Sequence, residues 1–492
     1  MRRPTTTVLA ALALCGAPAI LHAQAAPVRR AADSTGRSGP SVDFRHGPLR
    51  VATDGRHLVH ADGTPFFWLG DTAWELFHRL TREEAALYLE DRRRKGFTVI
   101  QAVVLAELGG LDVPNPYGHT PLANNDPTRP NEAYFRHVDD VVVAAEARGL
   151  YVGMLPTWGD KFNKKWGLGP EIFTPANARA YGEFLGRRYR DKPVVWVLGG
   201  DRSPERPEHV AVVRAMAAGL RAGDGGAHLM TYHPQGEQSS GQYFHADDWL
   251  AFDMFQSGHG SRDKANDRMV EADRVRVPPK PVLDGEPRYE DHPIDWKPAQ
   301  GWFDDADVRQ AAYWALLAGA AGHTYGNHNI WQMWQPGREP VSSARTPWRV
   351  ALGHPGAHQM GHVRRLFESR PFLDLVPDQA LLAAPADSGA TSGAGHQRAA
   401  RARDGRYAVA YTPLGRPLAV RLDRLRGRAH HDSVRAHWFD PRRGVAAVIG
   451  VFPAAGVRTF DPPGVEGRGN DWVLVVDRAG AGFPPPGAAP RR

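Results

Sequence analysis

The sequence predicts an α/β protein with a (β/α)8 TIM barrel, followed by a small antiparallel β-sandwich domain. Two observations support the barrel. Between residues 66 and 325, eight short apolar runs alternate with segments of helical periodicity, and roughly 260 residues is the usual size of one (β/α)8 barrel. In addition, no glycine-rich phosphate-binding loop is recognisable, which argues against a doubly wound open sheet.

The apolar runs predict the eight barrel strands, and the periodic segments between them predict helices. The predicted strands are Phe66–Gly70, Val99–Leu105, Tyr151–Pro156, Val194–Gly199, His228–His233, Ala251–Gln256, Pro281–Asp284 and Ala321–Tyr325. The predicted helices include Thr81–Lys95, His137–Arg148, Pro175–Tyr189, His209–Ala222 and Asp307–Leu317. Thr81 precedes Glu84 by three residues, as in a capping box. Gly96 and Gly149 stand where helix ends favour glycine.

A change of composition marks the end of the barrel, and we assign residues 45–375 to the barrel domain and 376–480 to the β-sandwich. Residues 383–399 are rich in alanine, glycine and serine and predict a flexible linker. Strand-like runs separated by turn residues follow, which is typical of a small antiparallel sandwich. They are Tyr407–Thr412, Leu418–Leu422, Val434–Phe439, Ala446–Val451 and Trp472–Val476. The proline-rich tail, residues 481–492, is expected to be loose.

The first 25 residues predict a signal peptide, so the protein is expected to be exported to the periplasm or beyond. Arg2 and Arg3 precede an apolar run that is too short to span a bilayer, and Ala23 and Ala25 frame a cleavage site. Cys15, the only cysteine, lies inside this segment, and Leu14 before it fits a lipoprotein anchor poorly. The mature chain is therefore expected to have no disulfide. Residues 26–44 are polar and predict a disordered lead.

Composition narrows the classes of partner. The net charge of +7 would favour an acidic polysaccharide such as pectin. The sequence has no basic stripe with interleaved aromatic residues, so a nucleic-acid partner is not expected. After the predicted signal peptide, no segment is long and apolar enough to predict a membrane span. The fourteen tryptophans exceed the ordinary needs of a core, and their flat faces suit sugar rings. The histidines lack metal-ligand spacing, so we predict no metal and no cofactor.

Catalytic groups of a barrel follow the C-terminal ends of its strands, and two carboxylates are favoured by that position. Asp201 ends the run VVWVLGGD and Glu286 follows LDG, so glycine precedes each. They follow predicted strands 4 and 7, on opposite sides of the barrel mouth. A glycosidase needs one carboxyl group to protonate the leaving oxygen and another to attack or to activate water. The structural alternative is that each caps a helix or pairs with an arginine. Asp71 is a third candidate, and Glu107 is a weaker one.

The remaining polar and aromatic residues after strand ends predict the substrate pocket. We expect hydroxyl-binding and ring-stacking roles for Asp71, Trp74, Trp158, His233, Gln256, Tyr325 and Trp331. For the aromatic members, a position in the core is the alternative.

At these motifs the chain resembles the apiosidase-like barrel family, glycoside hydrolase family 140, followed by a domain labelled collagen-binding. The resemblance covers about residues 45 to 478. It is carried by FFWLGDTAWELFHRLTREEAALYLEDRRRKGFTVIQAVVL, PNPYGHTPL, GLYVGMLPTWGDK, WVLGGDR, LDGEPRYEDHPI and GHTYGNHNIWQMW, and in the C-terminal part by WFDPRRG and DWVLVVD.

The resemblance implies a retaining carboxylate pair, with Asp201 as acid/base and Glu286 as nucleophile. It also implies action on β-linked apiose in pectic side chains, although members differ in sugar specificity. A retaining pair predicts carboxyl groups roughly 5–5.5 Å apart, a raised pKa for Asp201 and an ionised Glu286, for which Tyr325 and Arg288 are the expected donors. The rival class is a non-catalytic carbohydrate- or matrix-binding protein. For the C-terminal domain, a support for the barrel or a glycan-docking role is as well founded as collagen binding.

Overall fold

The computed structural model describes residues 39–383, 393–425 and 432–488. The predicted signal peptide, Cys15 and residues 26–38 of the predicted lead lie outside these ranges. Within them, no helix combines the length and the apolar character needed to cross a membrane.

Eight parallel strands form the predicted barrel, preceded by a hairpin of β1 (Leu49–Val51) and β2 (Leu58–His60). The barrel strands are β3 (Trp68–Thr72), β4 (Val99–Leu105), β5 (Tyr151–Thr157), β6 (Val194–Gly199), β7 (Met230–His233), β8 (Asp253–Phe255), β9 (Val282–Asp284) and β10 (Gly322–Tyr325). Six of them pair in the order β10-β3-β4-β5-β6-β7, and β8 pairs with β9. Backbone hydrogen bonds from Ala251 N–H to Met230 O (2.8 Å) and from Ala321 N–H to Val282 O (2.9 Å) join the two parts.

Helices cover the outside of the barrel and connect successive strands. Their bounds are Leu76–Arg79, Arg82–Lys95, Glu132–Glu146, Pro175–Tyr189, Pro207–Asp224, Gly241–Phe244, Asn266–Arg274, Asp305–Leu317, His328–Trp331, Trp348–Ala351 and Pro355–Glu368. The predicted capping box is present, since Thr81 Oγ1 accepts from Glu84 N–H and the Glu84 carboxylate accepts from Thr81 N–H. Gly96 and Gly149 both adopt left-handed backbone angles, as a helix end requires.

The predicted C-terminal β-sandwich is also present. A six-stranded antiparallel sheet contains β11 (Leu375–Pro377), β12 (Arg398–Ala402), β13 (Tyr407–Thr412), β15 (Ser433–Asp440), β16 (Val445–Pro453) and β18 (Trp472–Arg478). It faces a two-stranded sheet of β14 (Leu418–Arg421) and β17 (Val457–Phe460). Strands β11, β12 and β17 were not predicted. β12 begins inside the predicted linker, of which residues 384–392 lie outside the described ranges.

Strand β13 shows how the sandwich is joined to the barrel. Because side chains alternate along a strand, Tyr407, Val409 and Tyr411 pack into the core of the barrel helices, whereas Ala408 and Ala410 pack between the two sheets. The Tyr411 ring stacks on Tyr313 of the helix Asp305–Leu317, with ring centroids 4.8 Å apart. The two domains therefore share one continuous hydrophobic core.

Buried ion pairs cross the same contact surface between the barrel and the sandwich, which we call the seam. Arg309 donates two hydrogen bonds to Asp471, from Nε to Oδ2 (2.9 Å) and from Nη2 to Oδ1 (2.7 Å). Arg370 makes the same kind of pair with Asp477. A paired arrangement with this geometry fixes the angle between the domains as well as their contact.

Two predicted loose segments are ordered where the structure describes them. Contrary to the predicted disorder, residues 39–44 pack on the barrel: Ser41 is buried, donates to Glu368 and accepts from Phe67 N–H. Residues 481–488 of the tail also pack, since Phe483 contacts Tyr407 and Arg370. Composition did not reveal either contact, because each depends on one or two side chains in an otherwise polar segment.

Candidate active site

A cavity of about 670 Å³ opens at the C-terminal ends of the barrel strands. Every barrel strand is followed by a residue that lines it, which is the expected position of a barrel active site. In chain order these residues are Trp74, Glu107, Trp158, Asp201, Gln235, Gln256, Glu286 and Trp331. Both predicted catalytic carboxylates therefore face one space. A smaller cavity of about 340 Å³ lies at the opposite end of the barrel, beside the first residues of β5 and β6.

The Asp201 carboxylate is placed by an unusual turn at the end of β6. Gly199 (φ +89°), Gly200 (φ +117°) and Asp201 itself (φ +51°) all have positive φ values. A side chain on Gly200 would also approach Trp158 to 2.7 Å. Both glycines are therefore needed for the backbone path, and a non-glycine residue with positive φ marks a strained position of the kind found at active sites.

Glu286 is held by two histidines. His259 Nε2 lies 3.0 Å from Glu286 Oε1, in a well-formed hydrogen bond. His233 Nε2 lies 3.2 Å from Glu286 Oε2 and is less well aligned. The Asp201 backbone N–H donates to His233 Nδ1 (3.2 Å), so that nitrogen is the acceptor and Nε2 carries the proton that faces Glu286. His233 thus contacts both carboxylate residues.

The two carboxyl groups have opposite pKa shifts. Burial, together with the negative charge of Glu286, raises the pKa of Asp201. Burial alone would also raise the pKa of Glu286, but the contacts of its carboxylate with His233 and His259 lower it below the usual range. One carboxyl group is thus disposed to hold a proton and the other to remain ionised, which is the division of roles between a general acid and a nucleophile or base.

Arg202 connects Asp201 to a third carboxyl group. Its buried guanidinium donates from Nη1 to Asp201 Oδ2 (2.9 Å), and its Nη2 lies 4.0 Å from Glu107 Oε1. Burial and the charge of Asp201 raise the pKa of Glu107 to about 8. Glu107 is therefore disposed to hold a proton.

Aromatic residues form the walls of the cavity. Trp74 and Trp158 have ring centroids 5.2 Å apart, and Trp74 Nε1 donates to the hydroxyl oxygen of Tyr289 (3.1 Å). Trp331 and Gln256 also line the cavity. The structure therefore brings these predicted binding residues together around Glu286, while His233 lies beneath them and supports the carboxylates.

Besides His233, two more predicted binding residues do not line the cavity. Asp71 is fully buried and accepts from Tyr88 and Arg92, both at 2.5 Å. Tyr325 is fully buried and donates to Glu290 at 2.5 Å. Both belong to strands whose side chains alternate between two layers, and at these positions the side chain points towards the surrounding helices.

The expected donors to Glu286 were also misassigned. The Tyr325 hydroxyl donates to Glu290, and Arg288 donates to the carbonyl oxygen of Lys264 (2.8 Å). His233 and His259 hold the carboxylate instead, and the hydroxyl of Tyr289 lies beside it. Arg288 was expected because it is close to Glu286 in sequence. It is the next residue, Tyr289, that lines the cavity.

Sequence reasoning missed several residues that line the cavity. They include His259, Tyr289, Trp166 and Trp296. His259 follows β8 within Gln-Ser-Gly-His, so a search extended to four residues beyond each strand would have found it. Trp166 and Trp296 lie in long loops, which periodicity does not place. Within the ranges that the structure describes, no group of three potential metal ligands is present.

The comparisons with known proteins agree with this geometry. The family profile described as "Apiosidase-like, catalytic domain" matches residues 52–374, and that described as "Putative collagen-binding domain of a collagenase" matches residues 376–477. A search of curated proteins gave no match.

Among solved structures, one named "Glycoside hydrolase" is 34% identical, with a TM-score of 0.80; the alignment covers 89% of this chain and 98% of that chain. A structure described as a glycoside hydrolase family 5 protein from Bacteroides vulgatus is 32% identical, with a TM-score of 0.82, and covers 91% of this chain and 97% of that chain. On the profile match and these relatives, the chain belongs to the apiosidase-like family of glycoside hydrolases and is a glycosidase.

Proposed function

We propose that this glycosidase cleaves β-linked sugars in pectic glycans by a retaining mechanism, with Asp201 as acid/base and Glu286 as nucleophile. The observation that supports this proposal is that the pKa values of the two carboxyl groups shift in opposite directions. His233 and His259 keep Glu286 ionised, while the half-buried Asp201 beside it favours the protonated form.

In the first step, a carboxylate oxygen of Glu286 attacks the anomeric carbon, and the bond from that carbon to the leaving oxygen breaks. Asp201 gives its proton to the leaving oxygen. In the second step, the Asp201 carboxylate takes a proton from water, whose oxygen attacks the anomeric carbon and displaces Glu286. Asp201 is thereby reprotonated and Glu286 is ionised again.

The choice of substrate rests on charge and on family. The net charge of +7 favours encounter with an acidic polymer such as pectin, and the apiosidase-like profile points to β-linked apiose as the sugar released. The predicted signal peptide would deliver the enzyme to the periplasm or the medium, where such polymers are met.

The decisive experiment uses a panel of pectic oligosaccharides and measures the sugar released. Wild type is expected to release one sugar, and Asp201→Asn and Glu286→Gln are expected to lower kcat by about 10³-fold or more. Asp423→Asn, an exposed carboxylate in the C-terminal domain, is the control and should match wild type. Binding of the panel without product would instead favour a carbohydrate-binding protein, and full activity of either active-site variant would refute the assigned roles.

The stereochemical course tests the role of Glu286 separately. A retaining pair requires carboxyl groups roughly 5–5.5 Å apart, whereas an inverting pair is about 6.5–9.5 Å apart to admit water. Proton NMR during the first minutes of hydrolysis should show the anomer of the substrate. Initial appearance of the opposite anomer would make Glu286 a base that activates water.

For the C-terminal domain we propose a supporting role. Tyr411 stacking on Tyr313 and the buried Arg309–Asp471 pair support this role, because deletion would expose them. Removal of the chain from residue 375 onward should give insoluble barrel protein. A soluble, active barrel with weaker polymer binding would favour glycan docking, and tight collagen binding by full-length protein would favour the role that the domain's label suggests.

A further inference from the structure

Trp166 is the exposed aromatic residue on the acid/base side of the cavity. It lines the cavity and 60% of its surface is exposed. A tryptophan that exposes this much apolar surface beside a catalytic site is unusual unless a ligand covers it. Trp296 is also exposed (52%), but it contacts His259 and His292 on the Glu286 side.

Trp166 contacts Arg202, a buried cation that also binds Asp201. The Arg202 guanidinium carbon lies 4.0 Å from the centroid of the Trp166 ring, and the same guanidinium donates to Asp201 Oδ2 at 2.9 Å. The ring and the carboxyl group therefore both contact one buried guanidinium. Lys165 Nζ also lies 5.2 Å from the centroid of the Trp166 ring, and a sugar ring stacked on the exposed part of Trp166 would occupy the cavity that Asp201 lines.

The loop that carries Trp166 is anchored. Asp160 is fully buried and accepts hydrogen bonds from Gly169 N–H (2.8 Å) and from Lys161 Nζ (2.7 Å). Gly167 approaches Asp160 so closely that a side chain there would lie 2.4 Å from the Asp160 Cβ atom. The loop thus presents Trp166 from a fixed position, which lowers the entropy cost of binding.

Polar groups complete the same side of the cavity. Gln235 Oε1 accepts from Lys165 Nζ (2.7 Å), and its amide N–H groups remain to donate to a ligand. Glu107, whose pKa is raised by burial, lines the same cavity. An apolar ring face bordered by hydrogen-bond donors matches a pyranose or furanose ring with its hydroxyl oxygens.

An acid that protonates the leaving oxygen must stand on the leaving-group side of the bond that breaks. On the proposed function, in which Asp201 is that acid, we infer that Trp166 is the platform for a sugar residue of the leaving group, so that the enzyme acts on sugars linked to another glycan unit in preference to those with small leaving groups. The platform lies outside the set of residues that perform the chemistry, and it governs selection of the leaving group.

The test compares two substrates with the same sugar to be released. One is the pectic oligosaccharide that wild type cleaves, and the other is the glycosyl fluoride of that sugar, which has no ring as leaving group. Loss of a stacked ring is expected to lower the ratio of kcat/KM for the oligosaccharide to kcat/KM for the fluoride by roughly 10-fold in Trp166→Ala. Trp166→Phe should recover part of that ratio.

Leu168→Ala is the matched control, because Leu168 lies on the same loop, is 62% exposed and does not line the cavity; its ratio should equal that of wild type. An unchanged ratio in Trp166→Ala would overturn the inference, whether both rates are retained or both fall together. A lowered ratio accompanied by a shifted alkaline limb of the pH profile for the oligosaccharide would also overturn it, because Trp166 would then act through Arg202 on Asp201, whose proton the fluoride does not need. Failure of the proposed function is distinct, since wild type would then cleave neither substrate.

Discussion

Removal of the His259 ring should shift the pH dependence of the enzyme in a defined direction. In the wild type, His259 Nε2 forms the shorter of the two histidine contacts to Glu286 (3.0 Å against 3.2 Å from His233). The folded protein lowers the pKa of Glu286, so the ionised form of this proposed nucleophile persists to a pH below the usual carboxyl range. Activity is expected to be lost as the pH falls through that lowered value.

The size of the shift follows from the contact that is removed. A hydrogen bond to a charged group contributes about 1.5–3 kcal/mol, and one pKa unit corresponds to about 1.36 kcal/mol. His259→Ala should therefore raise the pKa of Glu286 by roughly 1–2 units, since His233 remains. His259→Gln keeps an N–H donor without a positive charge and should produce a smaller rise.

The assay is the pH profile of kcat/KM, which reports the pKa values of the free enzyme. The acid limb should move to higher pH in His259→Ala, while the alkaline limb, set by Asp201, stays near its original position. His46→Gln is the control, because His46 pairs with Asp62 at the hairpin far along the chain from the site. If kcat/KM falls equally at every pH, or the acid limb moves to lower pH, the proposed action of His259 on Glu286 is wrong.

Two further predictions concern the backbone and the seam. Gly200→Ala adds a Cβ atom 2.7 Å from Trp158 at φ +117°, so kcat should fall about 10- to 100-fold with an unchanged circular dichroism spectrum; a kcat within twofold of wild type would contradict the argument. Asp471→Asn removes one of the two carboxylates paired with the buried Arg309, the other being Asp305, and should lower the free energy of unfolding by about 1.5–3 kcal/mol in urea, whereas Glu183→Gln, at an exposed helical ion pair, should change it by less than about 1 kcal/mol.

The barrel could be predicted because its strands are apolar on both faces. Such runs stand out from the sequence, and Val99–Leu105 and Val194–Gly199 have the predicted bounds. Strand β12 (Arg398–Ala402) could not be found in this way, since its buried Arg398 pairs across the seam with Asp267 and Glu271. A sequence pattern reports hydrophobicity, and it does not report a charge that is neutralised by a distant partner.

The site could be predicted in part for a similar reason. Asp201 and Glu286 follow strand ends, and that rule alone brings them to the cavity. The rule does not state which way a side chain turns, and for that reason it placed Asp71 in the cavity although Asp71 faces Tyr88 and Arg92. The partner His259 and the loop residue Trp166 depend on where long connections fold back, which local periodicity does not encode.

The alternation along strand β13 has a consequence for how this gene could be recombined. Along this strand, alternate residues pack against the barrel helices and the residues between them pack inside the sandwich. One stretch of six residues therefore has to fit both domains. A domain exchanged from a relative would have to bring matching Tyr407, Val409 and Tyr411 equivalents with it. We therefore expect the two domains to be exchanged together, although the two family profiles meet between residues 374 and 376.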